Sequence, residues 1–91
     1  MLAYSRNTGS SIEDAIRITG AETHAEGVAA EYEFLKQKYK KKKIEFSIED
    51  QQELRAGNRY YDILRIKLSD GNRETIFFDI TESHDKFIIY P

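Results

Sequence analysis

Ile44-Glu45-Phe46-Ser47-Ile48-Glu49 alternates apolar and charged or polar residues at every step, directly after a segment whose apolar residues recur every third or fourth position. A period of 2 places side chains on alternate faces of a strand, whereas a period of 3.6 gathers them on one side of a helix. The change at Lys43 therefore separates a helix from a sheet. The alternation returns in Leu64, Ile66 and Leu68, and again in Ile76, Phe78 and Ile80. Gly57-Asn58 and Asp70-Gly71-Asn72 lie between these runs as turn signals.

Pairing about Gly57 sets Ile48 opposite Ile66 and Phe46 opposite Leu68. A three-residue loop centred on Gly71 sets Ile76 opposite Ile66 and Phe78 opposite Leu64. Both registers keep the even-numbered apolar set on one face, as a half-buried sheet requires. They also place Glu49 beside Arg65 on the other face, an opposite-charge pair. Lys86–Tyr90 reads as a last strand after a Ser83-His84-Asp85 turn.

Upstream, Thr23 and Glu26 have capping-box spacing. From there Ala25, Val28, Ala29, Tyr32, Leu35 and Tyr39 share one helical face, with Glu31, Gln37 and Lys38 opposite. Acids near the start and lysines near the end suit the helix dipole. The helix spans about residues 24–40. Ser10–Asp14 carries weaker capping patterns and predicts a short helical turn over Ile12–Ile16. Ile16-Arg17-Ile18 then alternates like a strand, with Ile18 pointing inward, and residues 1–9 form a loose lead-in.

The expected fold is α+β in two layers, with the main helix on a three- to four-stranded antiparallel meander. Its core comprises Val28, Tyr32, Leu35, Tyr39, Ile44, Phe46, Ile48, Leu64, Ile66, Leu68, Ile76, Phe78 and Ile80. The 91 residues make one domain. With no cysteine, the chain has neither disulfides nor thiolate chemistry, which fits a reducing compartment and a cytoplasmic protein. No apolar run is long enough for a membrane span.

Net charge is −2, unevenly distributed: Lys36, Lys38, Lys40, Lys41, Lys42 and Lys43 hold +6 between two segments of −4 each. Six ammonium groups in eight residues form a candidate anion-binding surface, for nucleic acid or another polyanion, with Tyr39 as a stacking face. The same run also serves as an ordinary helix C-terminus, which favours cations.

His24 and His84 lack the i, i+4 spacing of a helical ligand pair, so no metal or other cofactor is expected. No Gly-x-Ser-x-Gly elbow or phosphate-binding glycine loop occurs. Asp62 stands out on the apolar sheet face, beside Gln52 in the expected register, and Asp79 draws attention in the same region. An enzyme or ligand binder using the helix–sheet cleft would need two titratable groups converging there.

The opposite sheet face carries Tyr61, Ile63 and Phe77 beside Arg65, an apolar cluster on an otherwise polar surface. Its cover is either the Ile12–Ile18 segment, the Phe87–Tyr90 tail or another chain. The leading expectation is a non-enzymatic protein-interaction module, binding a protein partner or itself through Tyr61, Ile63, Arg65 and Phe77.

Overall fold

A computed structural model describes residues 1–84 and Lys86. Six elements follow in order: β1 (Ala3–Tyr4), β2 (Ile16–Thr19), α1 (His24–Lys41), β3 (Phe46–Ala56), β4 (Arg59–Leu68) and β5 (Arg73–Asp79). The α+β expectation holds, but the sheet is five-stranded and mixed, in the order β1-β2-β5-β4-β3. β3, β4 and β5 form the antiparallel meander. β2 adds to β5 in parallel, setting Ile16 beside Phe78, and β1 pairs antiparallel with β2.

The expected helical turn over Ile12–Ile16 is replaced by bends that lead into β2. Ser11 does accept the Asp14 amide at 3.2 Å. The Asp14 carboxylate is then occupied by Asn7 and Thr8, closing a local loop in place of a helix. Asp14 is held below its ordinary pKa, chiefly by the Thr8 hydroxyl. The lead-in is correspondingly tied down: Ser5 N–H donates to the Arg17 carbonyl at 2.9 Å, and Phe77 N–H to the Gly9 carbonyl at 2.8 Å. The expected Lys86–Tyr90 strand lies outside the described residues apart from Lys86.

α1 begins where the sequence indicates, with the Thr23 hydroxyl accepting the Glu26 amide at 3.1 Å. At its end Lys43 N–H reaches the Tyr39 turn through the Lys40 carbonyl, and Ile44 N–H bonds the Tyr39 carbonyl. This is a Schellman closure, and its left-handed position is filled by Lys43 at φ 56° rather than by glycine.

The face that α1 buries is rotated by roughly a quarter turn from the expected one, at 100° per residue. Ala30, Glu31, Leu35 and Tyr39 are buried, while Val28 and Tyr32 are 38% and 51% exposed. β2 is the reason. Ile16 and Ile18, both 0% exposed, extend the apolar sheet beyond β5, and the helix turns to cover them. Phe34 packs against Phe78 and Tyr4, and the Tyr4 hydroxyl donates to the Ala30 carbonyl at 2.8 Å. Covering the β2 side uncovers the β3 side. Ile48, expected in the core, is 36% exposed, and Ile44 and Phe46 are only partly buried. The other eight expected core residues are buried.

The register is a second correction. The first hairpin pairs Ile48 with Ile66 and Phe46 with Leu68 as expected, but its tip is a two-residue Gly57-Asn58 turn that pairs Ala56 with Arg59. Base and tip differ by one residue, and a bulge between Ile48 and Asp50 absorbs it. Beyond the bulge the faces exchange: Asp50, Gln52 and Leu54 point outward with Arg65, Ile63 and Tyr61, while Gln51 and Glu53 turn towards the helix with Leu64 and Asp62. Asp50, not Glu49, therefore pairs with Arg65, at 2.8 Å, and Glu49 reaches Arg73 at 2.8 Å.

The second hairpin sets Ile76 opposite Leu64 and Phe78 opposite Asp62, two residues from the expected register but with parity kept. Its loop is Ser69-Asp70-Gly71, because the last loop position needs a positive φ and Gly71 supplies 91°. Among the described residues no helix is long and apolar enough to cross a membrane.

Candidate functional site

The expected interface cluster is covered from within. Tyr61 and Ile63 are only 9% and 7% exposed, and Phe77 is half-buried opposite Ile63. The bulge contributes by swinging Leu54 to the outer face, directly opposite Tyr61. The bent N-terminal segment brings Ile12 and Ala15 to the same cavity wall as Tyr61 and Asp79. Arg65 remains exposed and is engaged by Asp50. Of the covers the sequence left open for these three side chains, the Ile12–Ile18 segment lies on this face, joined by Leu54.

Asp79, at the end of this face, receives the Arg59 guanidinium at 2.6 Å and the Thr81 hydroxyl at 2.6 Å. Burial opposes its ionisation, but those bonds outweigh it and hold the carboxyl below its ordinary range. The arrangement pins the end of β5 to the start of β4.

The bulge has its larger effect on the inner face. It turns Glu53 towards the helix, opposite Asp62, where α1 presents Glu31. Glu31 and Asp62 are each 2% exposed and hydrogen-bonded to one another. Burial first, then the bond to Asp62 and repulsion from Asp62 and Glu53, push the Glu31 pKa up to about 10. Near neutral pH Glu31 is a carboxylic acid donating its proton to Asp62. Its second oxygen, Oε2, has no hydrogen-bond partner among the described residues.

Glu53 Oε1 meets His84 Nε2 at 2.7 Å. The His84 ring stacks on Tyr60 at 3.6 Å between centroids and meets His24 edge-on at 5.9 Å. The chain therefore brings together two histidines that the sequence leaves unrelated. Their approach depends on Gly27, whose missing side chain leaves room for Ser83 at the helix surface. Among the described residues, no group of three or more histidine and carboxylate side chains is placed to hold a metal ion. The two titratable groups required of a helix–sheet cleft do converge, as a pair of which each member is 2% exposed.

The open surface lies beside this pair. Val28 and Tyr32 on α1 and Ile48 on β3 are exposed, and α1 meets β3 where the Tyr32 ring lies 5.6 Å from that of Phe46; this meeting line is the seam. β3 is the sheet's outermost strand, eleven residues long and exposed along most of its length. Glu45 directs its carbonyl towards β4, accepting the Ser69 amide at 2.9 Å. By strand alternation Phe46 and Ile48 direct their N–H and C=O groups to the other edge, which has no pairing partner among the described residues. Apolar side chains and free backbone groups thus coincide on one rim.

The lysine run borders the same rim. Lys36 pairs with Glu33 at 3.6 Å and Lys38 with Glu74 at 3.7 Å. Lys40, Lys41, Lys42 and Lys43 are exposed and make no ion pair among the described residues. Of this seam, the lysines alone were singled out as a surface by the sequence; Val28, Tyr32, Phe46 and Ile48 read there as core. No family model, curated protein or solved structure matches the chain.

Proposed function

We propose that the chain is a protein-interaction module that docks its partner on the α1–β3 seam, adding a strand to the free edge of β3. The observation that carries this reading is the exposure of Tyr32 and Ile48, with Tyr32 in ring contact with Phe46, beside a strand edge that has no pairing partner among the described residues. Edge strands template pairing with another chain, and proteins that do not use them shorten, cover or charge them. β1 at the opposite edge is two residues long. β3 is not shortened. Its charges and its bulge begin at Glu49, and the regular segment before them carries Phe46 and Ile48 towards the helix. In β-augmentation the backbone supplies hydrogen bonds and alternate side chains supply specificity. Phe46, Ile48 and Tyr32 form the apolar lining for such alternate side chains.

Catalysis is the weaker reading, since Glu31 and Asp62 are each 2% exposed and sit behind the helix. A photo-crosslinking residue placed at Ile48 of the full chain in cells tests the interaction. Protein adducts are expected from position 48 and from position 32, and none from the exposed Glu13 on the other side of the molecule. Absence of adducts at 48, or adducts removed by nuclease rather than protease, overturns the reading and favours polyanion binding through Lys36–Lys43.

A further inference from the structure

We propose that the occupant of the seam is a second copy of this chain, docked about a two-fold axis at Ser47 so that each β3 pairs antiparallel with the other; this rests on the seam being an interaction surface. Three observations on β3 support self-pairing.

The first is backbone geometry. Phe46 and Ile48 are the residues before the bulge whose backbone groups face the free edge, because Glu45 faces β4. An axis at Ser47 opposes Phe46 to Ile48 of the second copy and Ile48 to its Phe46. Both pairs are then of the hydrogen-bonded kind, so every outward group in this stretch is satisfied.

The second is packing. Phe46 and Ile48 lie on the helix face of β3, so the same axis stacks one copy's Phe46 against the other's Ile48. Tyr32, already in ring contact with Phe46, closes over them. The apolar surface that α1 leaves bare in one copy is then covered by its twin.

The third is charge. Lys40–Lys43 lie immediately before β3, and Glu49, Asp50 and Glu53 lie along its later part. Antiparallel apposition lays the basic run of each copy along the acidic stretch of the other. The carboxylates keep capacity for a second cation: Asp50 and Glu53 have 60% and 52% of their side-chain surface exposed. A two-fold contact makes this complementarity reciprocal from a single charge step in the sequence.

The chain has no cysteine, so Ser47→Cys introduces its sole thiol. Across an antiparallel pair, residues directly opposite hold their Cβ atoms about 4.5–5.5 Å apart, within reach of a disulfide. Ser47→Cys is expected to form a linked dimer under mild oxidation at micromolar concentration, and Asp50→Cys, at a position that is also exposed, is expected to remain largely unlinked. Sedimentation of the wild type should show a dimer whose dissociation constant rises at least about tenfold between 50 mM and 500 mM salt, as screening shortens the reach of exposed charges.

Reversing Lys40–Lys43 to glutamate, or Glu49, Asp50 and Glu53 to lysine, should each give monomers, and mixing the two sets should restore a dimer. Equal linking at positions 47 and 50, or a wild-type monomer at several hundred micromolar in low salt, overturns the self-pairing. In the second case, protein adducts at Ile48 would leave the interaction module standing with a different partner; no adducts there would remove both.

Discussion

A carboxylic acid kept out of water stays protonated unless something stabilises its charge, and burial and two neighbouring acids act against the charge of Glu31. Its neighbours Asp62 and Glu53 are acids, and together with burial they hold its pKa up to about 10. The unfolded chain would release the same proton near the ordinary glutamate value of about 4.3. Between those limits the folded state binds one more proton than the unfolded state, so stability falls as pH rises, by about 1.4 kcal/mol per unit. By pH 7 the accumulated cost is roughly 3–4 kcal/mol. Glu31→Gln keeps a donor towards Asp62 and removes the titration. It should be more stable than wild type by about that amount at pH 7 and indistinguishable from it at pH 4, in urea melts at both values; equal stability at pH 7 would show that Glu31 ionises freely. Lys43 offers a second test. Its φ of 56° costs an L-residue about 1 kcal/mol that glycine avoids. Lys43→Gly is expected to raise stability by about 0.5–1 kcal/mol in dilute solution, where assembly does not contribute. A loss would mean that Lys43 makes a compensating contact.

At the scale of the element, the rotation of α1 separates side chains that the periodicity alone treats as equivalent. Val28, Tyr32, Leu35 and Tyr39 all fit one apolar stripe, yet Leu35 and Tyr39 are 0% exposed and Tyr32 is 51% exposed. Leu35→Ala should therefore cost about 2–5 kcal/mol and Tyr32→Lys no more than about 0.5 kcal/mol, compared by thermal or denaturant unfolding of the monomer. Equal losses would return Tyr32 to the core. The existence of α1, its Thr23 cap and the parity of β4 and β5 were legible because each rests on neighbours within a few positions. The rotation was not, because it depends on Ile16 and Ile18 joining β5 from more than fifty residues away in sequence. The bulge was equally hidden: Ile44–Glu49 and Tyr60–Leu68 both alternate correctly, and only the two-residue Gly57-Asn58 tip forces the extra residue. That one residue moves Glu53 from the solvated face into the company of Asp62 and Glu31, and carries Leu54 out to cover Tyr61. So the acid–histidine cluster could not be read from spacing. The nearest sequence signal was Asp62 itself, a charged residue standing on an apolar face.

For the whole molecule, the connection that completes the sheet is also the most distant in the chain. β3, β4 and β5 are joined by short turns, and α1 runs directly into β3, so those elements can meet through local closures. β2 must find β5 across all of them, setting Ile16 against Phe78, and a parallel pairing of that span bears a larger loop-closure entropy than a hairpin. The meander with α1 should therefore assemble first, with β2 docking afterwards and completing the burial of Phe34 and Phe78. Ile66, 0% exposed at the centre of β4, and Ile18, 0% exposed in β2, probe the two stages with the same side chain. Truncation of either to alanine should cost about 2–5 kcal/mol at equilibrium, enough for its kinetic partition to be resolved. Ile66→Ala is expected to slow folding, with a φ-value of about 0.5 or more, because its contacts belong to the early meander. Ile18→Ala should leave the folding rate nearly unchanged and speed unfolding, with a φ-value below about 0.3. Stopped-flow chevrons of the two variants decide the order. A high φ-value at Ile18 would mean that the N-terminal strand nucleates the sheet, and that the helix is drawn off β3 from the outset rather than when β2 arrives.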